Sequence, residues 1–104
     1  MDLTFEHLAE QSRFVALDGD GHQVGEVDYV VETSSTGQPG SRTVVAVTHT
    51  GTDPAFRGQG IAGRLTTAVF DAAAELGWLI RPVCPYTVSW VAAHPARSAQ
   101  VVGG

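Results

Sequence analysis

Along the first half of the chain, apolar and polar residues alternate with the two-residue period of strands. After residue 56 the apolar positions recur with the 3.6-residue period of a helix. The run RFVAL (13–17) is followed by Asp18-Gly19-Asp20-Gly21, a strong turn signal, and then by HQVGEVDYVVE (22–32). Two β-rich runs joined through Asp-Gly predict an antiparallel hairpin. In its second strand Val27, Tyr29 and Val31 share one face, and Glu26 and Asp28 point to the other. The polar Gly/Pro/Ser stretch 33–42 reads as a mobile loop, and TVVAVTHT (43–50), β-branched almost throughout, as a third and more central strand.

In the second half, Ile61, Leu65, Ala68, Val69, Ala72, Ala73 and Leu76 form a stripe, with Arg64, Thr67, Asp71 and Glu75 opposite. Phe70 falls off the stripe, and Gly77 marks the helix end. WLIRPVC (78–84) is then a fourth strand and YTVSWVAAH (86–94) a short helix stopped by Pro95. Strand, helix and strand make a crossover, so strands three and four should be parallel. The expected architecture is α/β: three antiparallel N-terminal strands in a mixed sheet, a central helix, a parallel fourth strand and a short C-terminal helix. Residues 1–12 form a helical or irregular lead-in, 13–95 the domain, and 96–104 a tail expected to fray.

With 104 residues the chain makes one domain. No apolar run approaches the roughly 20 residues that span a bilayer, and the N-terminus lacks a basic start followed by an apolar block. Cys84 is the single cysteine, which excludes an internal disulfide and suits a reducing compartment, so a cytoplasmic protein is expected. Residues 1–56 hold nine acids and two arginines, whereas residues 57–104 hold two acids and four arginines. Without Lys/Arg clusters the chain is a poor nucleic-acid binder. No membrane partner is expected either.

Positive charge begins at RGQGIAG (57–63), where Gly58, Gly60 and Gly63 take the G-x-G-x-x-G spacing. A dinucleotide site would need an acid about 20 residues further on, near Val83, but no acid follows Glu75. No Lys-Ser or Lys-Thr follows the glycines, so the P-loop pattern fails too. What remains is either a tight turn into the helix or a cradle where main-chain N–H groups and the helix dipole meet a diphosphate, with Arg57 at the rim.

The longer string Arg57-Gly58-Gln59-Gly60-Ile61-Ala62 fits the acetyl-CoA pyrophosphate motif Q/R-x-x-G-x-G/A. Together with HT (49–50), CPY (84–86) and HP (94–95), it resembles the small, single-domain members of the GCN5-related N-acetyltransferases (GNAT) over about residues 13–95. The resemblance implies a reduced GNAT fold with acetyl-CoA as cosubstrate. Thr50, Gly51 and Thr52 would pair with the pantetheine arm, and Gly58 to Gly63 would hold the pyrophosphate. It also implies an acetyl transfer to an amine, of a small molecule or a protein, whose identity the sequence leaves open. Tyr86 is the candidate general acid, with packing against Trp90 as its structural alternative. Cys84 either lines the site or serves as an acyl-accepting nucleophile, which would need a thiolate-favouring neighbour such as the helix start near Tyr86.

His49 is the candidate base, since imidazole titrates near neutrality; on alternation it shares a face with Val45 and Val47, which would make it half-buried and structural. Asp53, before Pro54, is a weaker base candidate and a turn or cap residue by type. His7, His22 and His94 are expected to be structural or solvent-exposed. No His/Cys/Asp/Glu grouping has metal-ligand spacing, so no metal is expected. The larger acetyltransferases' helices between the first two strands are replaced here by turn residues, so the acceptor site would be shallow and open, or completed by another molecule. A monomer or weak homodimer is expected. The alternative to an enzyme is a CoA-binding or interaction module without turnover.

Overall fold

The Asp18 carboxylate organises the turn that starts the fold. Its Oδ1 accepts the N–H groups of Asp20 and His22 (2.9 Å each), and the Asp18 N–H donates to the His22 carbonyl at 2.9 Å. The backbone donor from His22 holds the Asp18 carboxyl below its ordinary range against a smaller opposing effect of burial. The strands on either side, β2 (Arg13–Leu17) and β3 (Gln23–Thr33), pair antiparallel as the alternation predicts. In the computed structural model, which describes residues 2–34 and 42–102, β3 then pairs antiparallel with β4 (Val44–Thr52). The predicted mobile loop falls mostly outside the described residues.

The lead-in differs from expectation. Residues Thr4–Leu8 form a strand, β1, paired antiparallel with β2, and Ala9–Gln11 a single 3-10 turn. Phe5 and His7 lie on the side facing the core, and His7 stacks on Phe14 with ring centroids 4.1 Å apart. That apolar alternation was too short to stand out in the sequence. With β5 (Leu79–Pro82) parallel to β4, the sheet has five strands in the order β1-β2-β3-β4-β5, four of them antiparallel. The strand expected to be more central, β4, is paired on both sides, with β3 and with the edge strand β5.

Helix α1 (Ile61–Leu76) and helix α2 (Pro85–Ala93) pack on the same face of the sheet, around one core that includes Val27, Val45, Val47, Leu65, Val69, Ile80 and Trp90. The predicted stripe of α1 holds except at its last turn, where Leu76 is exposed. Phe70, off that stripe, is 0% exposed: its ring lies 4.6 Å from Trp90 of α2. The short second helix thus gives α1 a second buried face, which one helix's periodicity cannot reveal. The expected frayed tail is docked as well. Residues Pro95–Gln100 make a 3-10 helix, Gln100 Nε2 donates to the Phe70 carbonyl at 2.7 Å, and Val102 N–H donates to the Ile80 carbonyl at 2.9 Å. No helix among the described residues is long and apolar enough to cross a membrane.

The opposite face of the sheet carries charge rather than helices. Arg13 pairs with Asp28 at 2.6 Å and Arg81 with Glu32 at 2.7 Å. Such part-exposed pairs make a face wettable more than they hold a fold together. Stability rests on the helix side, so Phe70→Ala is expected to cost about 3–5 kcal/mol by leaving a cavity against Trp90. A urea unfolding curve, with the midpoint moving and its slope kept, checks this.

Candidate active site

Helix α1 begins without a side-chain cap and without an acid in its first turn. The first intrahelical bond runs from Arg64 N–H to the Gly60 carbonyl at 3.1 Å, so the N–H groups of Ile61, Ala62 and Gly63 have no acceptor within the helix. Gly58 and Gly60 lie at φ +83° and +75°, where L side chains are strained, and a Cβ added at either would meet nothing within 4 Å. The loop is therefore a left-handed approach whose outer side is open. That is the shape an anion needs to reach the amides and the positive end of the helix dipole. Arg57 and Gln59 are exposed at its rim, while the Ile61 side chain is buried in the core.

Beside this loop the sheet splits. β4 and β5 stay paired from Val44↔Leu79 to Val47↔Pro82. There the Val47 carbonyl accepts both Val83 N–H (3.0 Å) and Cys84 N–H (2.9 Å), and the chain turns into α2 while β4 runs on to Thr52. A wedge opens between the strands. Cys84 caps the start of α2, two residues beyond the end of β5, so it belongs to the helix start rather than to the strand predicted to hold it.

Cys84 is 8% exposed. Burial pushes its thiol pKa up, but the Thr50 hydroxyl and the first-turn amides of Thr87 and Tyr86 outweigh burial and bring it below the ordinary value. Thr50 favours the thiolate by proximity rather than through a well-formed hydrogen bond: Thr50 Oγ1 and Thr87 Oγ1 are buried with no partner. Tyr86 stands at the wedge mouth, 38% exposed, with its hydroxyl 3.4 Å from where a Cβ on Gly63 would lie. Trp90 makes its ring contacts with Phe70 and His94. Burial raises the Tyr86 phenol, which keeps it protonated and able to donate near neutral pH.

His49 is on the other face of the sheet from the one predicted. Asp28 pairs with His49 but Tyr29 with Val47, so β4 carries one extra residue, Thr48. This bulge reverses the alternation beyond it. Val45 and Val47 face the core and Thr50, opposite buried Val27, turns toward the helix side, whereas His49 points away, its side chain 55% exposed. There His49 Nε2 lies 2.9 Å from Glu26 Oε2. Gly51, opposite Glu26, leaves the space for this pair, since a Cβ at that position would run into the Glu26 carboxylate. The pair lines an open cleft of about 520 Å³ that continues past Gly51 and Asp53 to Arg57.

The remaining candidates are structural. Asp53 caps the turn Pro54–Phe56 by accepting the Ala55 N–H at 2.9 Å. His7 Nε2 bonds the Tyr29 hydroxyl at 2.7 Å, and His94 Nδ1 the Trp90 carbonyl at 2.7 Å. One grouping departs from the sequence expectation about metals: Asp18, Asp20 and His22 bring ligand-type atoms within 4.8 Å of one another. Two of these residues are exposed, and the Asp18 carboxylate is already engaged by its own turn. Glu26 was not among the candidates drawn from the sequence; its polar face was legible, its partner across the strand was not.

A glycine loop at a helix start, beside a wedge between two parallel strands, is an arrangement that can be compared with known proteins. The family model for the GCN5-related N-acetyl-transferase matches residues 13–101. The chain belongs to this family. Among solved structures, the GNAT-family N-acetyltransferase YhbS from Escherichia coli, in complex with CoA, is 26% identical with a TM-score of 0.54; the match covers 65% of this chain and 37% of that one. The ribosomal-protein-alanine N-acetyltransferase of Brucella melitensis biovar Abortus 2308 is 28% identical, with a TM-score of 0.53 and 65% and 43% coverage of this GNAT chain and of its own. A GCN5-like protein from Staphylococcus aureus shares the fold over 99% of this chain and 89% of its own, at 17% identity and a TM-score of 0.66. This GNAT chain thus spans less than half the length of the first two proteins and most of the third. No curated protein sequence matches it.

The environment of Cys84 has a consequence for stability. Because folding lowers this thiol's pKa, the thiolate contributes stability that is fully present above the unfolded value of about 8.5. That contribution is lost as pH falls through the folded value. The stability difference between the parent and Cys84→Ser is expected to shift in the parent's favour as pH rises through the thiol range. Thiolate absorbance, unambiguous with a single cysteine, is expected to titrate below an ordinary thiol.

Proposed function

We propose that this GNAT chain is an acetyl-CoA-dependent N-acetyltransferase. The observation that carries the reading is the wedge between β4 and β5 opening beside the glycine loop at the start of α1. The free amides of Ile61, Ala62 and Gly63, with Gly58, Gln59, Gly60 and Arg57 at the rim, take the coenzyme's diphosphate. The length of β4 beyond Val47, through Thr50, Gly51 and Thr52, offers its backbone to the pantetheine arm. The thioester then lies in the wedge, reachable from both faces of the sheet.

On the direct route an amine nitrogen attacks the thioester carbon. The C–N bond forms, the C–S bond breaks, and the departing thiolate takes a proton from Tyr86, which burial keeps protonated. A covalent route has its own specific support in the thiolate-favouring surroundings of Cys84. On that route Cys84 Sγ first takes the acetyl group and CoA leaves as its thiol; the amine then displaces the cysteine. A mass increase of one acetyl group on Cys84, after mixing with acetyl-CoA alone, distinguishes the second route from the first.

The deciding experiment is a CoA titration followed by backbone amide resonances. Those of residues 58–63 are expected to shift together. Gly60→Ala strains a left-handed position by roughly 1–2 kcal/mol and brings a methyl group into the approach. It is expected to lose CoA affinity by tenfold or more, on the order of 1.4 kcal/mol of binding, while the spectrum stays dispersed. Unmoved amides in the parent overturn the reading. CoA binding without release of free thiol across a panel of amines would leave a CoA-binding module.

A further inference from the structure

We infer that the Glu26–His49 pair is the proton-accepting side of the reaction, with Glu26 as a positioning residue. The cleft beside the pair receives a primary amine presented as a cation. This rests on the acetyltransferase reading and adds to it a tautomer, a positioning residue and a class of acceptor.

The bulge at Thr48 is the first ground. It places His49 on the sheet face that carries no helix, at the edge of the wedge, where an amine can approach the thioester from the side opposite α1. The hydrogen bond then selects the nitrogen. A carboxylate only accepts, so the His49 Nε2 at 2.9 Å from Glu26 Oε2 must be the protonated one, and Nδ1 keeps the lone pair in the neutral ring. Glu26 is steadied in turn by Gln23 Nε2, 3.4 Å from its Oε1. Gly51 is the space this geometry requires.

Charge supplies the acceptor class. Asp28 is taken up by two contacts from Arg13, at 2.6 and 3.2 Å, so it offers little to a ligand. Glu26 is hydrogen-bonded to the His49 ring and lines the cleft, although the Arg13 guanidinium also feels its field. Asp53 adds a second carboxylate along the cleft, and Arg57 closes the end nearest the glycine loop. An ammonium group is favoured at the Glu26 end, and an anionic substituent only at the Arg57 end, where it competes with the coenzyme's phosphates.

The amine arrives as R–NH3+ and gives one proton to His49 Nδ1, which passes it to cleft water; Glu26 stabilises the transient imidazolium. The neutral amine attacks, the C–N bond forms and the C–S bond breaks. The second nitrogen proton leaves through His49 Nδ1 to cleft water, the thiolate takes a proton from Tyr86, and the Tyr86 phenolate regains one from water. The sum is R–NH3+ plus acetyl-CoA giving the acetamide, CoA thiol and one proton.

The test has a spectroscopic and a kinetic arm. Imidazole nitrogen shifts, read at a pH where the ring is neutral, should show His49 as the Nε2–H tautomer in the parent and as a mixture in Glu26→Gln. An Nδ1–H tautomer in the parent, or unchanged His49 shifts in Glu26→Gln, overturns the pair whether or not CoA binds. In turnover, His49→Gln should lower kcat by about 100-fold or more and Glu26→Gln by about tenfold or more, with acetyl-CoA affinity kept. Glu26→Asp, which retains the charge but not the reach, should fall between parent and Glu26→Gln and serves if the amide variant does not fold. Parental kcat in both His49→Gln and Glu26→Gln refutes the inference while leaving acetyl transfer standing; failure to bind CoA at all refutes the underlying reading instead. Among probes, 1,4-diaminobutane should be acetylated with a higher kcat/KM than glycine, and the reverse order overturns the acceptor class.

Discussion

The site depends on one carbonyl. At Val47 a single oxygen accepts two successive amides, those of Val83 and Cys84, and that double bond ends the parallel ladder. A ladder that continued would have closed the sheet and buried the end of β4. Because it stops, β4 keeps an unpaired edge toward Thr52, α2 starts where β5 ends, and a sulfur is held between two strand ends at a helix N-terminus. The core pays no penalty for this, since Val45, Val47 and Ile80 are still packed on the paired side of the break.

Helix placement divides the labour between the faces. Both helices and the docked C-terminal segment cover one face, so apolar packing is concentrated there and stability comes from it. The other face carries ion pairs and the His49–Glu26 contact, with buried Val15 and Ala46 set among them. A sheet with a core on one side only can present polar side chains on the other without leaving buried charges unpaired. The chemistry of recognition and the chemistry of folding are thereby carried by different residues of the same strands, as Glu26 and Val27 illustrate.

Much of this was legible beforehand. The hairpin from Arg13 to Thr33, the helix from Ile61 and the parallel step to β5 follow from alternation, a 3.6-residue stripe and turn residues. The glycine turn into α1 was readable from its spacing, which left a tight turn and a diphosphate cradle both open until the longer string's resemblance to an acetyl-CoA motif was added. Features that need two distant segments to meet were not. The β1 strand has few residues and gains its meaning from β2; Phe70 is explained only by Trp90; the tail is held by Ile80. His49 failed for a sharper reason: simple alternation assumes an unbroken ladder, and Thr48 breaks it.

The bulge also uncouples the length of this stretch from the sides its residues take. Thr48 is the surplus residue, so deleting it would make the Tyr29–Val47 and Asp28–His49 pairs consecutive and leave the imidazole and the Thr50 hydroxyl each on its present side. With nothing deleted, pairing Thr48 itself with Asp28 would exchange inside for outside along the remainder of β4 and send the imidazole toward the core. Which residue is left out of the ladder, rather than how many the segment holds, decides what faces the solvent.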